Sequence, residues 1–82
     1  RCVDVVGGYT EEGTVAHMWT CYPTLESQMW DRNDSGQFVN RASGLCLTIP
    51  GETTQEGTQA VISQCSSSSP SQRWSIPSPA GK

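Results

Sequence analysis

Cys2-Val3-Asp4-Val5 and Cys46-Leu47-Thr48-Ile49 are one phrase written twice, 44 residues apart. Each opens on a cysteine that is followed 19 residues later by another, Cys21 and Cys65, and each runs on to a Gln-x-Trp, Gln28-Met29-Trp30 and Gln72-Arg73-Trp74. Gly7/Gly51, Thr10/Thr54, Glu12/Glu56, Gly13/Gly57, Thr14/Thr58, Ala16/Ala60 and Ser27/Ser71 keep the same displacement without a gap. Positions 1–30 and 45–74 therefore share eleven identities. Self-similarity at a period of this length is the mark of a repeated supersecondary unit.

The segments inside each unit are short and separated by Gly, Ser and Pro breakers, and none carries a helical period, so the chain reads as all-β. Unit two offers four strands, at 37–40, 45–49, 59–65 and 72–76, and unit one offers three, at 2–6, 15–21 and 28–31. Side chains on a strand alternate between faces. Val3, Val5, Ala16 and Met18 match Leu47, Ile49, Ala60 and Ile62 across the repeat, so this apolar set is expected to face the core. Asp4, His17 and Trp19 then face outward, where unit two has Thr48, Val61 and Ser63.

Composition narrows the class. Leu, Ile, Val and Phe number 13 of 82 residues, below the mark of roughly 20% at which a core becomes thin. A net charge of −3 is too small to make disorder the answer, and the four cysteines point to a disulfide-held domain in an oxidising, extracellular compartment. Five basic residues spread singly (Arg1, Arg32, Arg41, Arg73, Lys82) form no stripe for nucleic acid. No apolar run is long enough to span a bilayer.

Cys2-Val3-Asp4-Val5, Gly13-Thr14, Trp19-Thr20-Cys21 and Gln28-Met29-Trp30, echoed in unit two and joined by Ala42-Ser43-Gly44-Leu45-Cys46, resemble the R-type (ricin B-like) lectin family. The resemblance implies a β-trefoil, three four-stranded units about a pseudo-threefold axis with the Gln-x-Trp tryptophans, Trp30 and Trp74, in the core. Seven strands of twelve are present. The reading is a partial trefoil: repeat one at 1–34 lacking its first strand, repeat two at 35–76, and 77–82 as a tail or the start of a next repeat. Three units at this period need about 130 residues, an ordinary domain size, so another segment or chain is expected to complete the fold.

Four cysteines allow three connectivities. The within-unit pairs Cys2–Cys21 and Cys46–Cys65 are the expected ones, and with no Cys-x-x-Cys and a single histidine a metal site is not expected. If Cys2 and Cys21 join antiparallel strands, Asp4 and Trp19 are predicted to stand opposite each other. The resemblance assigns them sugar binding: a carboxylate accepts from hydroxyls while the apolar C–H face of the sugar lies on an aromatic ring. His17 shares that edge. Ser27 replaces the Asn that the family's binding units usually carry, and Gln28 is expected to orient Asp4.

The function so implied is binding of a galactose-type or related glycan at one site in unit one, by a secreted module that targets a larger protein, such as a glycosidase or toxin, to glycans. The alternative is a trefoil whose sugar site has decayed and which serves as a structural or protein-interaction domain. No catalytic residue and no cofactor is expected, because a catalytic base needs a third group to position it and His17 is predicted outward on a strand, while Glu11-Glu12 and Asp31/Asp34 fall in turn-like segments with nothing to desolvate them. Asn33-Asp34-Ser35 is an N-glycosylation sequon, with Asn33 the acceptor in a eukaryotic source.

Overall fold

Apolar and β-branched residues come in runs of only three or four before a Gly, Pro or Ser interrupts them, and such runs sustain only short ladders. A computed structural model, which describes residues 1–52 and 57–74, shows six: β1 Cys2–Val5, β2 Ala16–Trp19, β3 Trp30–Arg32, β4 Phe38–Asn40, β5 Cys46–Thr48 and β6 Val61–Ser63. β1 and β2 form an antiparallel hairpin, and β3-β4-β5-β6 form an antiparallel sheet in that order. No α-helix occurs among the described residues. The architecture is that of a partial β-trefoil, two of its three units.

The strand expected from Gln28 starts at Trp30, and of the one expected from Gln72 the described residues 72–74 form no part. Glu26–Gln28 and Pro70–Gln72 are instead 3-10 turns, matched across the repeat like the turns at Val6–Gly8 and Pro50–Glu52. Each Gln is folded back to serve as a side-chain clamp, which takes its backbone out of a ladder. The end of the expected last strand, 75–76, and the tail 77–82 lie outside the described residues. Asp31 sits within β3, bonded bidentately to Arg41, and not in a turn.

The clamp gives the Gln-x-Trp motif its physical meaning. Gln28 accepts from the Tyr22 N–H (2.7 Å) and donates to the Thr20 carbonyl (2.7 Å), while Gln72 accepts from the Ser66 N–H (2.8 Å) and donates to the Gln64 carbonyl (2.9 Å). The Trp30 indole N–H donates to the Val3 carbonyl (2.9 Å) and the Trp74 indole to Leu47 (3.1 Å). Gln thus holds the segment around the second cysteine, and Trp holds the strand that follows the first. Both tryptophans, expected in the core, are half-buried.

Both within-unit disulfides are formed, with Cα atoms 5.2 Å (Cys2–Cys21) and 5.1 Å (Cys46–Cys65) apart. Closing a loop of this length stabilises by about 3 kcal/mol in the chain-entropy account. Neither bridge joins directly opposed residues. Cys2 faces Trp19 in the β1/β2 register and Cys46 faces Ser63, so each second cysteine lies two residues past its strand partner and curls back.

The core is small: Val5, Ala16, Cys46 and Ile62 are its buried apolar members. Ile62 is fully enclosed because unit one reaches across to it. Gly13 N–H donates to the Ile62 carbonyl (2.8 Å), Ile62 N–H to Thr14 (2.9 Å), and Ala16 N–H to Ala60 (3.0 Å), with a Val15/Val61 bridge alongside. Glu12 adds a clasp, its carboxylate accepting from the Ser63 hydroxyl (3.1 Å) and the Gln64 N–H (2.8 Å).

Met18, the counterpart of Ile62, does not join this core and is 54% exposed. Its strand is right and its face is right, but among the described residues no segment does for Met18 what Gly13-Thr14 does for Ile62. Val3, Ala16, Met18, Leu47 and Ala60 instead border an open groove of about 430 Å³.

Candidate functional site

Three local features shape a cleft on the outer face of unit one. The hairpin β1/β2 presents Asp4 and His17, which oppose each other in register; Trp19 is two pairs along, on the same face, opposite Cys2. The expected Asp4/Trp19 pairing is therefore displaced by two residues, because the disulfide is offset from the strand register. The 3-10 turn Glu26–Gln28 brings Ser27 under the same cleft. Gly7, at φ 65°, turns the chain after β1, and a Cβ there would lie 2.6 Å from the Tyr9 ring, so the turn requires glycine.

The cleft has a volume of about 480 Å³ and is floored by Asp4, Ser27 and His17 and walled by Trp19, Tyr22 and Leu25, with Gly7-Gly8 on the rim. Asp4 is only 6% exposed, not outward on an open sheet, because the Ser27 turn packs over it. Ser27 donates to Asp4 Oδ1 at 2.8 Å. The Ser27 turn is itself held from unit two, where the buried Asn40 donates its amide to the Ser27 carbonyl at 3.0 Å. Trp19 is 49% exposed and lies flat on His17, ring centroids 5.0 Å apart and planes 10° from parallel. His17 Nε2 stands 3.6 Å from Asp4 Oδ2.

Asp4, His17, Trp19 and Ser27 are thus brought together. Gln28 is not: its amide is spent on Thr20 and Tyr22, and Asp4 is oriented by Ser27 instead. Tyr22, 51% exposed, and Leu25 were not singled out from the sequence. Their positions in unit two are Ser66 and Ser69, so comparing the repeats for residues gained in one unit alone would have found them.

The same cleft recurs in unit two, about 630 Å³, lined at matching positions by Thr48, Val61, Ser63, Ser66, Ser69 and Ser71. There the Thr48 hydroxyl, in place of the Asp4 carboxylate, accepts from Gln72 at 3.1 Å.

Elsewhere, Asn33 caps the β3–β4 turn, its Oδ1 accepting from the Ser35 and Gln37 N–H groups (both 3.0 Å) and its amide donating to Gln37 Oε1. Its side chain is exposed at the sequon. Among the described residues no cluster of three or more His, Cys, Asp or Glu could hold a metal ion, and no helix is long and apolar enough to cross a membrane.

A repeated, disulfide-closed β-unit carrying Gln-x-Trp is the build of the β-trefoil modules. A family model described as a ricin-type beta-trefoil lectin domain matches residues 1–74, and the chain belongs to that family of non-catalytic, carbohydrate-binding domains. No curated protein matches the chain.

Proposed function

We propose that unit one binds a galactose-type or related glycan in the Asp4/Trp19 cleft. The observation that carries this reading is a buried, hydrogen-bonded carboxylate beside a half-exposed indole in one concave site. Asp4 spends one oxygen on Ser27 and keeps lone pairs for sugar hydroxyls, and Trp19 offers a flat apolar face to the sugar's C–H groups. The wet, shallow setting favours weak single-site affinity, so strong attachment would need further sites or copies. A secreted location accords with the two disulfides, and targeting of a larger secreted protein to glycans is the role that follows.

Titration calorimetry against galactose-type and other sugars, with Trp19→Ala as control, tests it. Saturable binding by the wild type and at least tenfold weaker binding by the variant is expected; equal binding by both would defeat the site.

A third unit of the same pattern is proposed to cover the groove at Met18, presenting its own Gly-Thr turn to Met18 as Gly13-Thr14 does to Ile62. Hydroxyl-radical footprinting should find Met18 oxidised in the chain 1–82 and protected once such a unit is joined. Oxidation at the same rate in both would remove this proposal.

A further inference from the structure

We infer that His17 is a positioning residue, a strut that locks the carboxylate of the cleft to its aromatic wall. This rests on the sugar-binding reading and changes the part His17 plays in it, from ligand contact to internal brace.

His17 Nε2 is buried and has no hydrogen-bond partner. Buried ring nitrogens are ordinarily satisfied, and an orphan asks for a reason. The nitrogen is aimed at Asp4 Oδ2, 3.6 Å away, just beyond bonding range, from the position directly across the β1/β2 ladder. Because no solvent reaches it, it is also closed to a sugar hydroxyl. Asp4 Oδ1 is already engaged by Ser27, so Oδ2 is the oxygen with capacity to spare. Closing the gap by somewhat under 1 Å, the scale of ordinary side-chain adjustment on binding, would give an Nε2–H donor to Oδ2 and leave a lone pair there for ligand.

While the ring's edge meets Asp4, one of its faces carries Trp19, stacked nearly parallel. A sugar pressed on the outer face of the indole therefore bears on the imidazole beneath, and the imidazole bears on the carboxylate. Of the groups lining the cleft, Asp4 and Tyr22 are the other titratable ones, and the groove bordering the far side of His17 brings none.

Unit two shows what the strut replaces. There Gln72 bonds the Thr48 hydroxyl directly, whereas Gln28 does not reach Asp4, and Val61 stands where His17 would be. The acidic unit has exchanged a glutamine hydrogen bond for one from Ser27, and sets His17 beside the second carboxylate oxygen with an aromatic plate stacked on it.

Two substitutions separate the two halves of the role. His17→Gln keeps an N–H at the reach of Nε2 and loses the ring; His17→Phe keeps the stack and loses the donor. Imidazole nitrogen NMR of the protein, free and with galactose, should place the proton on Nε2, and Asp4→Asn should shift that signal. His17→Ala should weaken galactose binding by more than tenfold, with the Gln and Phe variants each recovering part of the loss and melting temperatures holding close to wild type. A proton held on Nδ1 alone, or wild-type affinity in His17→Ala, overturns the strut. The spectra need no sugar. A wild-type protein that binds none of the sugars tested but shows the Nε2–H signal sensitive to Asp4 overturns the lectin reading and supports the strut.

Discussion

Asp4 and Thr48 stand at the same station of two closely similar frames. Both follow a bridged cysteine, both lie on the strand whose neighbouring carbonyl receives a tryptophan N–H, and both look into a cleft bounded by a Gly turn and a 3-10 turn. What differs is carried by side chains alone: Asp4, His17, Trp19, Tyr22 and Leu25 against Thr48, Val61, Ser63, Ser66 and Ser69. The frame is thus separable from the chemistry mounted on it. The cores differ in the opposite sense, since Ile62 in unit two is enclosed while Met18 in unit one is open.

That contrast can be broken most sharply at the core. Ile62→Ala should destabilise the protein by about 2–5 kcal/mol, as deletion of an enclosed aliphatic side chain does, whereas Met18→Ala should change stability by well under 1 kcal/mol while its groove is open. Denaturant unfolding of the two variants reads the difference, and equal losses would mean that the units are equally packed.

Next in size is Asn40, which belongs to unit two but supports the cleft of unit one. Asn40→Ala leaves the Ser27 carbonyl without its buried donor and the Ala42 N–H without its acceptor, and should lower stability by about 1–3 kcal/mol. Sugar affinity should fall with it, because the Ser27 turn would no longer hold Asp4. An unchanged affinity would show that the cleft is built by unit one alone.

A smaller effect, but a gain, is expected from transplanting the chemistry. The triple variant Thr48→Asp, Val61→His, Ser63→Trp places the unit-one set on the unit-two frame, and calorimetric stoichiometry should rise from one sugar per chain to two, the second site being the weaker. A stoichiometry of one would locate part of the recognition in Tyr22 and Leu25.

The smallest is the clasp between units. The Gln64 N–H and then the Ser63 hydroxyl hold the Glu12 carboxyl below its usual range, although the group itself is exposed. A carboxyl depressed by folding adds stability that is fully present above its unfolded pKa and is lost as pH falls through the folded one. Thermal melts of wild type and Glu12→Gln should therefore differ slightly at neutral pH and converge on acidification below the ordinary glutamate range. A difference that grows with acid would reverse the assignment.

The repeat, the all-β class, the two bridges and the family were legible because each rests on residue identity at fixed spacing. Asp4, His17, Trp19 and Ser27 were legible for the same reason. Four things were not. Strand alternation put Asp4 outside, but burial there depends on a turn 23 residues away in sequence, Ser27 against Asp4. The register of β1 on β2 is offset from the disulfide by two residues, so His17 and not Trp19 stands opposite Asp4. Gln28 shares the motif spacing of the site, but its amide is committed to the Tyr22 N–H and the Thr20 carbonyl, and nothing in the sequence tells that partner choice from one with Asp4. Met18 was assigned inward from a pattern that is correct about direction and silent about what covers it.

The tryptophan N–H bonds make the protein its own gauge. Trp30 and Trp74 each hold their indole proton on a backbone carbonyl of their own unit, while Trp19 lies with its ring half in solvent. Three indole protons should accordingly exchange with heavy water on separate clocks. Two of them would time the opening of one repeat each, and the third would slow only when something settles on the ring, so that folding and occupancy can be watched at once in a single unmodified sample.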